Sequence, residues 1–165
     1  MSQVQAWVVL VAALVSVFGA SLYLGMMLVL QFFLRPVFLG LRLDELSTVF
    51  AVPIVKATKF FVLMFFPLLV APALQLWLGA ADVHTNVLAW GTLIAYLFLA
   101  VWFSFAMRPV NQQLVSGDVR DRQQLHQMMS RWVTRNWARF FASLVYWMAS
   151  VGYLVSANDM WKVLS

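Results

Sequence analysis

The sequence predicts an all-α integral membrane protein, a bundle of four transmembrane helices forming a single membrane domain over residues 1–165. Three observations carry that prediction. Hydrophobic residues make up 64% of the chain and charged ones only 10%, against roughly a quarter charged in soluble globular chains. Four stretches approach or exceed the ~20 apolar residues that a helix needs to cross a bilayer. The basic residues are gathered at alternate junctions between those stretches instead of being spread along the chain.

The first span is expected at about 6–33, within an opening segment of 34 residues that carries no charge. It lacks the positive leader and the cleavage site of a signal peptide, so it reads as a retained span. Ala12, Ser16 and Ala20 recur every fourth residue, with Ser21 and Gly25 beside them. Small residues at that spacing let helix backbones approach closely, which points to a central position for this span. "RPVFLGL", Arg35 to Leu41, opens a connection over 35–59. The second span is expected at about 60–78, where Pro67 and Pro72 should kink it. Carbonyls freed by such kinks are tolerated in a membrane when they are buried in protein or face a cavity. "GAADVHTN" then contributes Asp82 and no basic residue. The third span is expected at about 87–107, "RPVNQQL" opens a connection over 108–139, and the fourth span follows at about 140–155.

Ten of the eleven basic residues fall in the connections 35–59 and 108–139; only Lys162 lies beyond the fourth span. The positive-inside rule then places both connections in the cytoplasm and both termini outside, in a cell inner membrane. A net charge of +5 confined to those junctions suits anionic lipid headgroups, so the bilayer is the expected partner and nucleic acid is not.

The two Arg-Pro-Val tripeptides sit at equivalent points, after the first and third spans. A second correspondence accompanies them: Lys59 precedes Phe60-Phe61, and Arg139 precedes Phe140-Phe141. One account is a pair of pseudo-symmetric helical hairpins, a parallel repeat of the kind some transporters show. The other is that Arg-Pro is a common way to end a span, since Arg snorkels to headgroups and Pro removes an amide donor.

Several chemistries lack their residues. The chain has no cysteine, which excludes disulfides, thiolate metal sites and cysteine nucleophiles. All six acidic residues, Asp44, Glu45, Asp82, Asp118, Asp121 and Asp159, lie outside the expected spans. That argues against proton relays and ion coupling, and against a carboxylate-bridged metal centre in the bundle. His84 and His126 fall on opposite faces, so they cannot share one metal or one haem. No metal and no cofactor are predicted, although a singly ligated haem or a bound quinone stays open. The nine methionines and the many aromatics read as apolar filling, not as a cofactor box.

The organised polar stretch runs from Arg108 to Phe141. "SGD" reads as a turn, with Asp118 capping a helix that continues into the fourth span. On that helix Leu125, Met128 or Met129, Trp132, Asn136 and Arg139 recur at three- and four-residue steps and form one stripe. Arg131 and Arg135 flank it. Trp132, Asn136 and Arg139 present an aromatic face, an amide and a fixed cation suited to an oxyanion or a phenol. The bland alternative is that Trp and Arg anchor the chain at the membrane boundary and Asn136 bonds to the neighbouring hairpin. Asn111 could cap its own turn or reach the same cluster.

The pattern Pro109, Asn111, Leu114, then Trp132, Asn136 and Arg139 opening a last span resembles the anthrone oxygenase-like family of small four-span membrane proteins. The resemblance covers mainly the carboxy-terminal half, and its motif is short. It implies a four-helix bundle and, in the named members, oxidation of polycyclic anthrones without an obvious metal or flavin motif. Carried over, it makes Asn111, Trp132, Asn136 and Arg139 the ligand-binding candidates. This chain departs from the pattern in having no histidine within its spans and an unusually apolar first connection.

Two functions are therefore expected from different classes. One is a binder, or a cofactor-independent oxygenase, acting on a hydrophobic aromatic or quinone-like small molecule. The other is a non-catalytic accessory or scaffold subunit that packs on a membrane protein partner or on a second copy of itself. The first requires an apolar cavity between the spans, near Arg139 and lined by Tyr or Trp. The second is served by a solid bundle with Arg139 turned to the headgroups.

Overall fold

The computed structural model describes residues 1–79, 82–116, 119 and 121–164. Among these there is no strand, and four helical segments are long and apolar enough to cross a membrane: Gln3–Phe33, Leu43–Gly79, Val83–Ser116 and Arg122–Ser156. They are built from α1 (Gln3–Leu28), α2 (Arg35–Leu39), α3 (Val52–Leu63), α4 (Phe65–Leu74), α5 (Val83–Trp102), α6 (Arg108–Ser116), α7 (Arg122–Ser156) and the short terminal α8 (Asn158–Leu164). Helix α1 packs on α4 and α7, and α5 packs on α4 and α7, so the segments close a ring in chain order.

The core is layered along the bundle. Ala6, Val9, Ala13, Ala89 and Tyr153 form a small-residue layer at one end. Ala20, Tyr23, Tyr96 and Tyr146 form a middle layer rich in tyrosine. Phe38, Phe50, Met107, Leu114, Leu125 and Trp132 fill the arginine-rich end. Ala12, Ser16 and Ala20 are buried as their spacing suggests. On the second small-residue row, a Cβ on Gly25 would meet nothing, while exposed Ser21 accepts from the Trp147 indole N–H at 3.2 Å, so that row makes a polar link and not a close backbone approach. The close approach falls instead at Gly19, where a Cβ would collide with the Leu68 side chain. A four-membered ring has no central helix; α1 is one wall of it.

The helices run beyond the expected spans: the second helical segment begins at Leu43, and the helix expected to lead into the fourth span is present as part of Arg122–Ser156. Lys56, Lys59, Arg131 and Arg135 sit on exposed helical faces, so charge marks where apolar surface ends and not where the helix ends. Arg-Pro-Val also does not stop the chain. Pro36 and Pro109 each stand in the first turn of a new helical stretch, where no amide donor is required. Each is preceded by a wide i→i+5 turn, Val29–Phe33 and Phe103–Met107. Such turns admit the extra backbone that a proline ring demands. Helix α2 then ends at Gly40, whereas α6 runs on to Ser116.

The second segment bends where Pro67 predicts. Pro67 cannot donate to the carbonyl of Leu63, and α3 and α4 divide at Met64. None of the twelve residues of α3 is buried, so this helix is peripheral, touching the core through half-buried Ile54 and Phe61. The turn expected at Gly117–Asp118, and capping by Asp118, lie outside the described residues. The described cap of α7 is Asp121, which accepts from the Gln124 backbone N–H at 2.7 Å. At the start of α5, Asp82 accepts from the Thr85 backbone N–H at 3.0 Å and from its hydroxyl at 2.9 Å. These bonds hold its carboxyl below the usual carboxylate range.

Candidate functional site

The stripe on α7 is buried from Leu125 through Met129, Trp132, Asn136 and Arg139 to Ser143 and Tyr146. Its polar members are joined in sequence. The indole N–H of Trp132 donates to Asn111 Oδ1 at 2.7 Å, which ties α7 to α6. Asn136 donates through Nδ2 to the Trp132 carbonyl at 3.1 Å and accepts from Arg139 Nη1 at 3.0 Å. The structure thus brings together all four residues singled out from the sequence. Asn111 caps no turn; it lies inside α6 and reaches the cluster. Asn136 bonds within its own helix and not to a neighbouring one.

Trp132 is 1% exposed and is held edge-on by Phe38 and Phe50, with ring centroids 5.4 and 5.2 Å away. An interfacial anchor would present its ring to headgroups; this one is core. Arg139 is 8% exposed. Its guanidinium lies 5.7 Å from the Phe103 ring centroid, a cation–π contact. Its Nε is buried without a hydrogen-bond partner, and no described carboxylate pairs with it. An isolated buried cation costs several kcal/mol, so its retention calls for a reason beyond packing.

Beside Arg139 the bundle holds a cavity of about 650 Å³, within the roughly 300–1,000 Å³ of small-molecule sites. Residues of all four long segments line it, including Tyr23, Phe61, Phe103, Asn111, Trp132 and Arg139. The half-buried face of α3 forms one wall, and its Phe61 meets Tyr23 of α1 with ring centroids 4.2 Å apart. Asn136 is not on the wall; it sits behind, holding Arg139. The exposed residues Lys59, Val62, Phe66 and Arg108 also line it. Val62 and Phe66 are 63% and 71% exposed, so the cavity opens toward the apolar flank of the bundle.

Sequence reasoning did not single out Tyr23, Phe61 or Phe103. Tyr23 is the one hydroxyl-bearing aromatic of the first span and stands on the Ala12–Ser16–Ala20 row continued, which is the signal that could have found it. Gln31 and Gln75 were also overlooked. Both are buried polar residues beside wide turns. Gln31 Nε2 donates to the Val133 carbonyl at 3.4 Å, and Gln75 Nε2 donates to Ser16 Oγ at 3.0 Å. Arg135, on the flank of the stripe, donates to the Ala106 carbonyl at 2.8 Å within another wide turn. These turns are where side chains fasten one segment to the next.

Among the described residues, no three histidine or acidic side chains come together as metal ligands would. His84 and His126, near opposite ends of the bundle, are both exposed. The chain matches no protein-family model, no curated protein and no solved structure.

Proposed function

We propose that this membrane protein binds a hydrophobic aromatic or quinone-like molecule in the cavity beside Arg139, close to the cytoplasmic boundary of the bilayer. The observation that carries the reading is a buried, carboxylate-free guanidinium on the wall of an otherwise largely apolar cavity. Desolvated cations in membranes mark functional sites by default, and convergent polar groups in an apolar pocket are the usual form of a small-molecule site. Asn136 fixes the guanidinium, Trp132 and Asn111 brace the wall behind it, and Phe103 covers one face. In the same reading the basic connections face the cytoplasm of the cell inner membrane and both termini face outside.

A resemblance to anthrone oxygenase-like proteins extends the proposal to chemistry. An anthrone-type substrate that loses a proton to solvent becomes an enolate, whose oxygen a fixed cation stabilises. Dioxygen as oxidant then converts the ring CH2 carbon to the quinone carbonyl with release of one water. That supports turnover of such a substrate by oxygen without a protein-bound metal, with Arg139 as the anion-stabilising group.

The test is to purify the protein in neutral detergent and identify what accompanies it by solvent extraction, mass spectrometry and absorbance. Near-stoichiometric recovery of an aromatic or quinone-like compound is the expected result. Recovery of a stoichiometric protein partner with no such compound would overturn the reading in favour of an accessory subunit.

A further inference from the structure

We infer that the cavity takes an anionic amphiphile, whose oxyanion head pairs with Arg139 and whose apolar body fills the space beneath α3. The inference rests on the cavity being a ligand site and narrows the class of ligand. Among the described residues, the charges that line the cavity are all of one sign: Arg139, Lys59 and Arg108 are on its wall and no described Asp or Glu is. The five described acidic residues pair or cap elsewhere: Asp44 with Arg42, Glu45 with the Arg42 backbone N–H, Asp159 with Lys162, Asp82 with Thr85 and Asp121 with Gln124.

Within the site, Asn136 occupies one guanidinium nitrogen and leaves Nε buried and unpartnered. A guanidinium on the wall with no carboxylate partner among the described residues complements the charge of a carboxylate, phosphate or phenolate oxygen. A neutral quinone leaves that cation uncompensated in a low-dielectric wall; an anion cancels it. A bare inorganic anion accounts for the cation but not for Met26, Leu30, Ile54, Phe61 and Phe65, which form the apolar remainder. Both halves are satisfied by one molecule with an acid head and an apolar body. The exposed rim residues Val62 and Phe66 give such a molecule a lateral route from the bilayer. Its source is either an anionic lipid of that bilayer or a lipid-soluble acid, since the head chemistry is shared.

The experiment compares two fluorescent probes, 9-anthracenecarboxylic acid and its methyl ester, on the full chain in phosphatidylcholine nanodiscs at neutral pH. Empty discs set the partition baseline. Binding of the acid at least tenfold tighter than the ester is expected, with the preference lost in Arg139→Gln and partly kept in Arg139→Lys. Equal binding of acid and ester overturns the anionic assignment but leaves the cavity reading standing. Binding of neither probe above the empty-disc baseline overturns both. The acid–ester comparison needs no variant, so a misfolded Arg139→Gln leaves the test intact. Repeating it in discs containing phosphatidylglycerol separates the sources. Displacement of the acid assigns the site to a bilayer lipid head, undiminished binding assigns it to a lipid-soluble acid, and each supports the inference.

Discussion

At the scale of single residues, the hydrogen-bonded run Asn111–Trp132–Asn136–Arg139 places the most demands on its neighbours, because each member is buried and each polar atom depends on the next. Trp132→Phe keeps an aromatic ring between Phe38 and Phe50 but leaves Asn111 Oδ1 without its donor. A buried acceptor left unpaired costs about 1–3 kcal/mol, so the variant should unfold at a lower temperature in detergent. Adding Asn111→Leu removes the stranded acceptor and should recover part of that loss. A single variant as stable as the parent would show that the 2.7 Å bond contributes nothing. These four residues were legible in the sequence because three of them repeat at helical spacing in a polar stretch, where a stripe stands out. Tyr23 and Phe103 were not, since each sits in a run of similar apolar residues and becomes a wall only when distant segments meet.

At the scale of elements, proline decides the shape of the site. Pro67→Ala restores the donor to the Leu63 carbonyl and should let α3 and α4 join as one straighter helix. The chain contains no cysteine, so Val62→Cys and Ser104→Cys can carry spin labels across the cavity, one on α3 and one on the turn after α5. The distance distribution between them should shift and narrow in Pro67→Ala; an unchanged distribution would place the cause of the splay elsewhere. The start of α5 offers a pH test. The Asp82 carboxyl is held below its ordinary value of 3.8 by bonds from Thr85. A depressed carboxylate stabilises the fold above its unfolded value, and that contribution is lost as pH falls through the folded value. Hydrogen-exchange protection of the first turn of α5 should therefore weaken below about pH 4, and Asp82→Asn should abolish that dependence. Loss of protection on raising the pH instead would contradict the sign. The break before Pro67 was legible as a kink, whereas Pro72 stands inside α4 without dividing it. The length of the second helical segment was not legible, because Lys56 and Lys59 break an apolar run without breaking a helix.

At the scale of the whole molecule, the three-layered core, the ring of four segments and the one-sided charge describe a bundle whose cavity spans the junction of its tyrosine-rich middle layer and its arginine-rich end. Fold class and segment number followed from composition and run length alone, since a bilayer imposes both. The cavity did not, because it arises from a gap between α3 and three other walls that no local pattern encodes. Orientation is testable with single cysteines. Ser2→Cys should react with a membrane-impermeant maleimide on intact cells, and Ser130→Cys only after lysis; the reverse pattern would invert the topology. The account's central claim is that Arg139 is kept for a ligand and not for the fold. The most direct test replaces it with a neutral side chain of similar length, Arg139→Met, and measures the small-molecule content of the purified protein together with its unfolding temperature. Removing a lone buried cation should leave stability equal or raised while the bound molecule is lost. Unchanged ligand content, or a bundle that collapses without the guanidinium, would contradict it.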